Sequence, residues 1–247
     1  MIEQTLNKLA DMRLYAMASK LKEFHESAQL NTIEPLELIT YMADSEHDKR
    51  KKNRISRLVK RAHVKLPNAC IQDIKFSSRR NLRKEKLHDV ITADFIEHNQ
   101  NVLITGATGV GKTYLACALG NLACRKGHST TYFRVSKFLE YVQQEHALGN
   151  YLKYIEKIGK TKLMILDDLG PDVMTKQQRN MFMEIIEERY LTASTIITSQ
   201  LPLEQWYAVF GEESIADAIC DRIFHNAYKI QLKGGSLRKN DVPHLAL

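Results

Sequence analysis

Residues 106–113 read Gly-Ala-Thr-Gly-Val-Gly-Lys-Thr, and no other feature of the chain restricts its folding as strongly. Gly106, Gly109 and Gly111 let the backbone turn so tightly that successive N–H groups face inward, and a helix beginning at Lys112 adds the positive end of its dipole. A loop of this kind cradles phosphate. It needs an apolar strand in front and a helix behind, and the flanks supply both: Val102-Leu103-Ile104 before the loop and an apolar-faced stretch over 112–126 after it. In this arrangement Gly106, Ala107, Thr108, Gly109, Val110 and Gly111 hold the phosphates of ATP. Lys112 reaches the β- and γ-phosphates, and the Thr113 hydroxyl ligates Mg²⁺.

The texture on either side of the loop predicts the fold class. From residue 101 onward, short apolar runs at 101–105, 130–134, 162–166, 195–199 and 228–232 alternate with helical segments at 112–126, 136–146, 176–192 and 214–225. That alternation predicts a parallel, doubly wound α/β sheet of five strands. The first 66 residues read instead as helices. Leu6, Leu9, Leu14, Met17, Leu21 and Phe24 recur at helical spacing, and Pro35 stands where a further helix begins and Pro67 where it would end. The sequence therefore divides into a helical N-terminal domain over 1–66, a basic connector over 67–100 and a P-loop domain over 101–247.

A second motif agrees with the first. Leu163-Met164-Ile165-Leu166 delivers Asp167 and Asp168 at the end of an apolar strand, where nucleotide sites form in sheets of this type. Asp167 is the candidate Mg²⁺ partner, and Asp168 is placed to orient or deprotonate the attacking water. The Asn/Thr-Lys-x-Asp motif by which GTPases read their base is absent after Thr113, and 135–161 lacks the arginines of a small-molecule kinase lid. The strand over 195–199 brings Ser199, followed by Gln200, toward the γ-phosphate if it runs beside the Asp167 strand. Cys70, Cys117, Cys124 and Cys220 have neither CxxC pairing nor zinc-ligand spacing and read as reduced core thiols.

Charge is distributed unevenly. The net charge of +7 arises in one stretch: 49–86 holds 15 Lys/Arg against Asp73 and Glu85 alone, while the remainder of the chain is net acidic. Nine of those cations fall between Lys49 and Lys65 without one acid. Like charges four residues apart destabilise an isolated helix, so a polyanionic partner is the expected reason for them. Lys51, Lys52, Arg54, Arg57, Lys60 and Arg61 are the candidate contacts, with Ile55, Leu58, Val59 and Ala62 facing the core. Phe76 is the one aromatic residue in the stretch, which favours backbone contact with duplex DNA over stacking on single strands. Neither a membrane-length apolar run nor a signal peptide is present, and a cytoplasmic location is expected.

Taken together, 101–113 (Asn-Val-Leu-Ile-Thr-Gly-Ala-Thr-Gly-Val-Gly-Lys-Thr), Leu166-Asp-Asp-Leu-Gly170, Ile197-Thr-Ser-Gln-Leu-Pro202, Asp221-Arg-Ile223 and Gly235-Ser-Leu-Arg238, with the basic Arg57-Leu-Val-Lys-Arg-Ala62, resemble the IstB family. These AAA+ ATPases are encoded beside the transposase of certain bacterial insertion sequences and are related to the DnaC and DnaI helicase loaders. The resemblance spans essentially the whole chain. It implies that Arg222 is an arginine finger inserted at a neighbouring subunit's γ-phosphate, that Arg238 is a nucleotide-sensing arginine, and that Ser199 or Gln200 is the first sensor. It further implies a homo-oligomer assembled with ATP and a transposase partner. Asp168 departs from the glutamate usual in AAA+ proteins. Two other roles stay open at this point: a helicase loader, and a DNA-bound scaffold that binds nucleotide without hydrolysing it.

Overall fold

A computed structural model describes residues 2–170 and 172–237. Two compact units divide between Arg57 and Leu58. The first is helical: α1 (Ile2–Asp11), α2 (Tyr15–Glu26) and most of α3 (Pro35–Ala62). Pro35 opens α3 because its fixed φ suits the first helical position and its missing N–H costs nothing there. The helix stops at Ala62, short of Pro67, because His63 takes a left-handed φ of 48°. Leu9, Leu21 and Met42 close a small core flanked by Leu6, Leu14, Met17 and Leu38. Glu46, buried on α3, braces this unit: its carboxylate accepts the N–H groups of Ala16 (2.8 Å) and Met17 (3.4 Å) in the first turn of α2, and the Nε–H of Arg50 (2.8 Å).

In the second unit β1 (Asn101–Thr105), β2 (Thr130–Arg134), β3 (Leu163–Leu169), β4 (Ser194–Ser199) and β5 (Ala227–Gln231) form a parallel sheet in the order β2-β3-β4-β1-β5. This is the α/β class the alternation predicts, and the N-terminal region is helical as read. The short α4 (His88–Ile91) precedes the sheet. The strands are joined by α5 (Lys112–Arg125), α6 (Val135–Ala147), α7 (Tyr151–Gly159), α8 (Lys176–Arg189), α9 (Trp206–Phe210) and α10 (Glu213–Phe224). The pattern over 101–232 had not revealed α7, whose nine residues are fewer than a periodicity reading needs.

Strand side chains alternate between two cores. Val102, Ile104, Leu163, Ile165 and Ile196 pack with α5, whereas Leu103, Met164, Leu166 and Ile197 pack with α6 to α10. Segment 67–100, basic though it is, gives the α5 face Leu82, Val90, Ala93, Phe95 and Ile96, each no more than 1% exposed. Among the described residues, no helix is long and apolar enough to cross a membrane.

Candidate nucleotide site

The two-residue period of the strands decides what meets the phosphate loop. Leu163 and Ile165 of β3 and Ile196 of β4 face α5, so Asp167 and Thr198, which continue the same parity, emerge on the side where α5 begins. Tyr132 of β2 lies on that face as well. Asp167, 2% exposed, accepts three hydroxyl hydrogen bonds: from Thr113 (2.9 and 3.1 Å to its two oxygens), from Tyr132 (2.7 Å) and from Thr198 (2.6 Å). All three bonds use the carboxylate as acceptor, the role its oxygens are suited to. Burial first, then the bond to Asp167, push the Tyr132 phenol well above its usual range, and the phenol stays a donor.

Around Asp168 the strand is irregular. The β3–β4 register shifts between Leu166 and Leu169, and Asp168 adopts a left-handed φ of 66°, a conformation Asp tolerates better than most residues. Its N–H donates to Thr198 Oγ1 (2.9 Å), so this one hydroxyl holds both aspartates. Its carboxylate accepts from Arg134 Nη2 (2.8 Å) and Gln200 Nε2 (3.4 Å), and Gln200 accepts from Thr108 Oγ1 (2.7 Å).

The two sensor candidates part here. Gln200 lines the cleft with Thr108 and Asp168. Ser199 points to the opposite face and is fully buried, donating to Leu169 O (2.6 Å) and accepting from Leu201 N (3.1 Å). Thr198, which no motif singled out by itself, lines the cleft and bonds both aspartates. Thr198→Val is accordingly expected to lower ATP turnover about 10- to 100-fold, the usual cost of losing a group that orients a ligating carboxylate. Ser199→Ala should leave turnover near wild type and cost about 1 kcal/mol of stability; steady-state ATPase assays and urea melts on both variants check this.

Gly106 begins the loop with a φ of 143° directly against β5, where any side chain would run into the Leu232 carbonyl oxygen. Gly111, at φ 97°, caps α5. Lys112 is 7% exposed and donates to the carbonyls of Gly106 (2.7 Å) and Ala107 (2.9 Å), which holds its ammonium inside the loop. Loop, Asp167, Asp168, Thr198, Gln200 and Arg134 enclose a cleft of about 590 Å³. On the other side of Gly111 a second pocket, about 340 Å³, is walled mainly by Ile74, Leu82, Leu115, Leu232 and Leu237, with Asp73, Lys75, Arg80 and Tyr114 completing its lining. Arg80, in the wall of the second pocket, donates to Val110 O (2.6 Å).

Positive φ at the loop glycines, an inward lysine and a helix start make a phosphate cradle, and the apolar pocket beside it suits a base. Thr113 and Asp167 supply the hard oxygen donors a Mg²⁺ ion takes. Arg222 lies apart from this cleft on α10, ion-paired through Nε with Glu187 and donating to Ala218 O (3.0 Å). Arg238 falls outside the described residues. Lys51, Lys52, Arg54, Arg57, Lys60 and Arg61 are all exposed on α3.

Known proteins match this architecture along most of its length. Residues 7–243 match the family model described as IstB-like ATP binding protein. A Sinorhizobium fredii protein that bears the name of an insertion-sequence ATP-binding protein is 39% identical over 239 residues, covering 96% of each chain. A Pseudomonas fluorescens protein, named for the ATP-binding function of insertion sequence IS1162, is 35% identical over 202 residues, covering 82% of this chain and 87% of its own. Among solved structures, that of the DnaC helicase loader superposes with a TM-score of 0.55 at 20% identity, covering 67% of this chain and 97% of the loader chain. At that identity the likeness concerns the fold.

Proposed function

The chain belongs to the family of IstB-like ATP-binding proteins and is a P-loop ATPase of an insertion sequence; from that premise we propose that it is a nucleotide-driven switch acting on DNA. In this reading it assembles with ATP on duplex target DNA and recruits or regulates the transposase of its element, and hydrolysis releases the assembly. The observation that carries the reading is the coexistence in one chain of a complete phosphate cradle and a helix whose last part, from Lys49 to Ala62, exposes eight cations and no acid. Such a face suits the phosphate backbone of a duplex without reading its sequence.

Each residue of the site has a task in this scheme. Lys112 and the loop N–H groups bind the β- and γ-phosphates, and the apolar pocket beside Gly111 takes the base. Thr113 and Asp167 would hold Mg²⁺, which when bound neutralises charge on the phosphate oxygens. Asp168 orients the attacking water or accepts its proton, with Gln200 beside it. Thr198 keeps both aspartates in place. On the family resemblance Arg222 serves the site of a neighbouring copy, which agrees with its place outside the cleft of its own chain, and a complete site then exists only between subunits. Arg238 is assigned the role of nucleotide sensor on the family resemblance.

Co-sedimentation of the full chain with duplex DNA, with and without ATP, tests the scheme. ATP-dependent pelleting that weakens steeply from low to moderate salt is expected. Arg222→Ala should bind ATP as tightly as wild type and lose about 10³-fold or more in turnover, the range of an arginine finger. A monomer that hydrolyses ATP at the full rate would refute the inter-subunit site. Pelleting indifferent to ATP would favour a passive scaffold instead.

A further inference from the structure

The basic face of α3 is not used evenly. Within the first unit, Arg50, Lys51, Arg54 and Arg57 line an open groove of about 710 Å³ whose far wall is Arg13, from the turn between α1 and α2. Their spacing along α3 puts Arg50, Arg54 and Arg57 on one stripe. Five of the groove's residues are cations and none is an acid. Lys52, in the middle of the same charged run, does not line it, and Lys60 and Arg61 lie beyond residue 57, in the second unit.

Two of the arginines are held by the fold. Arg50 donates through Nε to buried Glu46 (2.8 Å) and through Nη2 to Arg13 O (3.5 Å). The hydrogen bond from Arg50 also holds the Glu46 carboxyl below its usual range, so the acid that fixes Arg50 stays ionised. Arg13 sits in a closed turn: Leu14 N donates to Leu9 O and Arg13 N to Ala10 O, each 2.8 Å, and Leu9 and Leu14 pack together beneath. That is the Schellman arrangement, with Arg13 in the left-handed position at φ 58°. Arginine presents a planar fork of donors that matches phosphate oxygens bidentately; the fork of Arg50 is fixed in advance and loses less freedom on binding, and for Arg13 it is the backbone that is fixed.

We propose that the groove between Arg13 and the Arg50-Arg54-Arg57 stripe is the seat of the DNA phosphate backbone, and that Arg13, remote from the charged run in sequence, is one of its contacts. The inference rests on the duplex-binding reading above and narrows it. The groove takes the phosphates of one strand of a duplex, while Lys52 contributes only general charge.

The test is titration of a short, labelled, random-sequence duplex with the full-length protein and its variants, by fluorescence anisotropy across a salt series. Arg13→Gly is the decisive variant, because glycine is the residue the left-handed turn prefers. It should melt at or above the wild-type temperature yet bind duplex about tenfold more weakly, with the salt slope reduced by about one. Arg50→Ala should weaken binding similarly, whereas Lys52→Ala should stay within about twofold of wild type. If Lys52→Ala and Arg13→Gly weaken binding equally, or Arg13→Gly has no effect while charge reversal across 51–57 abolishes binding, the groove assignment is overturned and the duplex reading survives. A wild-type protein that binds no duplex even at low salt overturns both, and single strands bound with the same dependence on Arg13 overturn the assignment to duplex.

Discussion

Asp168→Asn should leave ATP binding near wild type and lower turnover by about two to four orders of magnitude, the contribution typical of a positioned general base. Asn matches Asp in size and keeps an oxygen that can accept from Arg134 or Gln200, as the carboxylate does now at 2.8 and 3.4 Å. It also tolerates the left-handed φ of 66°. The register break and the Thr198 hydrogen bond to the backbone N–H therefore survive, and what disappears is the ability to take a proton. Single-turnover hydrolysis beside equilibrium binding of a fluorescent ATP analogue separates the two effects. Hydrolysis at the wild-type rate would remove Asp168 from the mechanism. A parallel loss of nucleotide affinity would point instead to a collapsed loop.

The second large effect concerns stability. Arg189, 2% exposed, ends α8 and donates to Ile158 O (2.6 Å), Thr161 O (2.7 Å), Ser194 O (2.5 Å) and Thr195 Oγ1 (3.1 Å). The first two acceptors lie at and just beyond the carbonyl end of α7, where Ile158 O also accepts the N–H of Thr161 (3.1 Å). The other two open β4. One guanidinium thus pins a helix end and a central strand to the same point. Arg189→Met, similar in length and apolar, takes the guanidinium donor away from four acceptors, of which Ile158 O keeps the Thr161 N–H, and the expected loss is about 3–5 kcal/mol. For a chain of this size that lowers the melting temperature by roughly 10 °C, readable by calorimetry. Arg189→Lys should recover little, because a compact ammonium cannot span acceptors set around a planar fork. A melting temperature within about 2 °C of wild type would show that water replaces the lost donors.

Arg189 also illustrates what could not be read in advance. In the sequence it is one cation in Ile-Ile-Glu-Glu-Arg-Tyr, on a segment that reads as an ordinary amphipathic helix. Its importance depends on α7, which is too short to announce itself. The same holds for Arg13, an isolated arginine in an otherwise unremarked helical region, which acquires neighbours only when α3 folds back beside the α1–α2 turn.

The phosphate loop, the aspartate pair and the alternation of strands and helices were legible because each is local. Glycine spacing, an apolar run and a two- or three-to-four-residue period constrain the backbone where they stand, whatever the rest of the chain does. Strand order is different in kind. The arrangement β2-β3-β4-β1-β5 is set by crossovers and long-range packing, and it alone brings Tyr132, Asp167 and Thr198 to the helix that starts at Lys112. Even the choice between adjacent residues followed from it. Thr198 faces α5 and Ser199 faces away because β4 pairs with β1 in one unbroken register, and a slip of one residue would exchange them. The sequence by itself determined that this chain binds a nucleoside triphosphate on a parallel sheet. Which side chains share that site was decided by tertiary structure, since side-chain parity has physical meaning only once the sheet has two different faces.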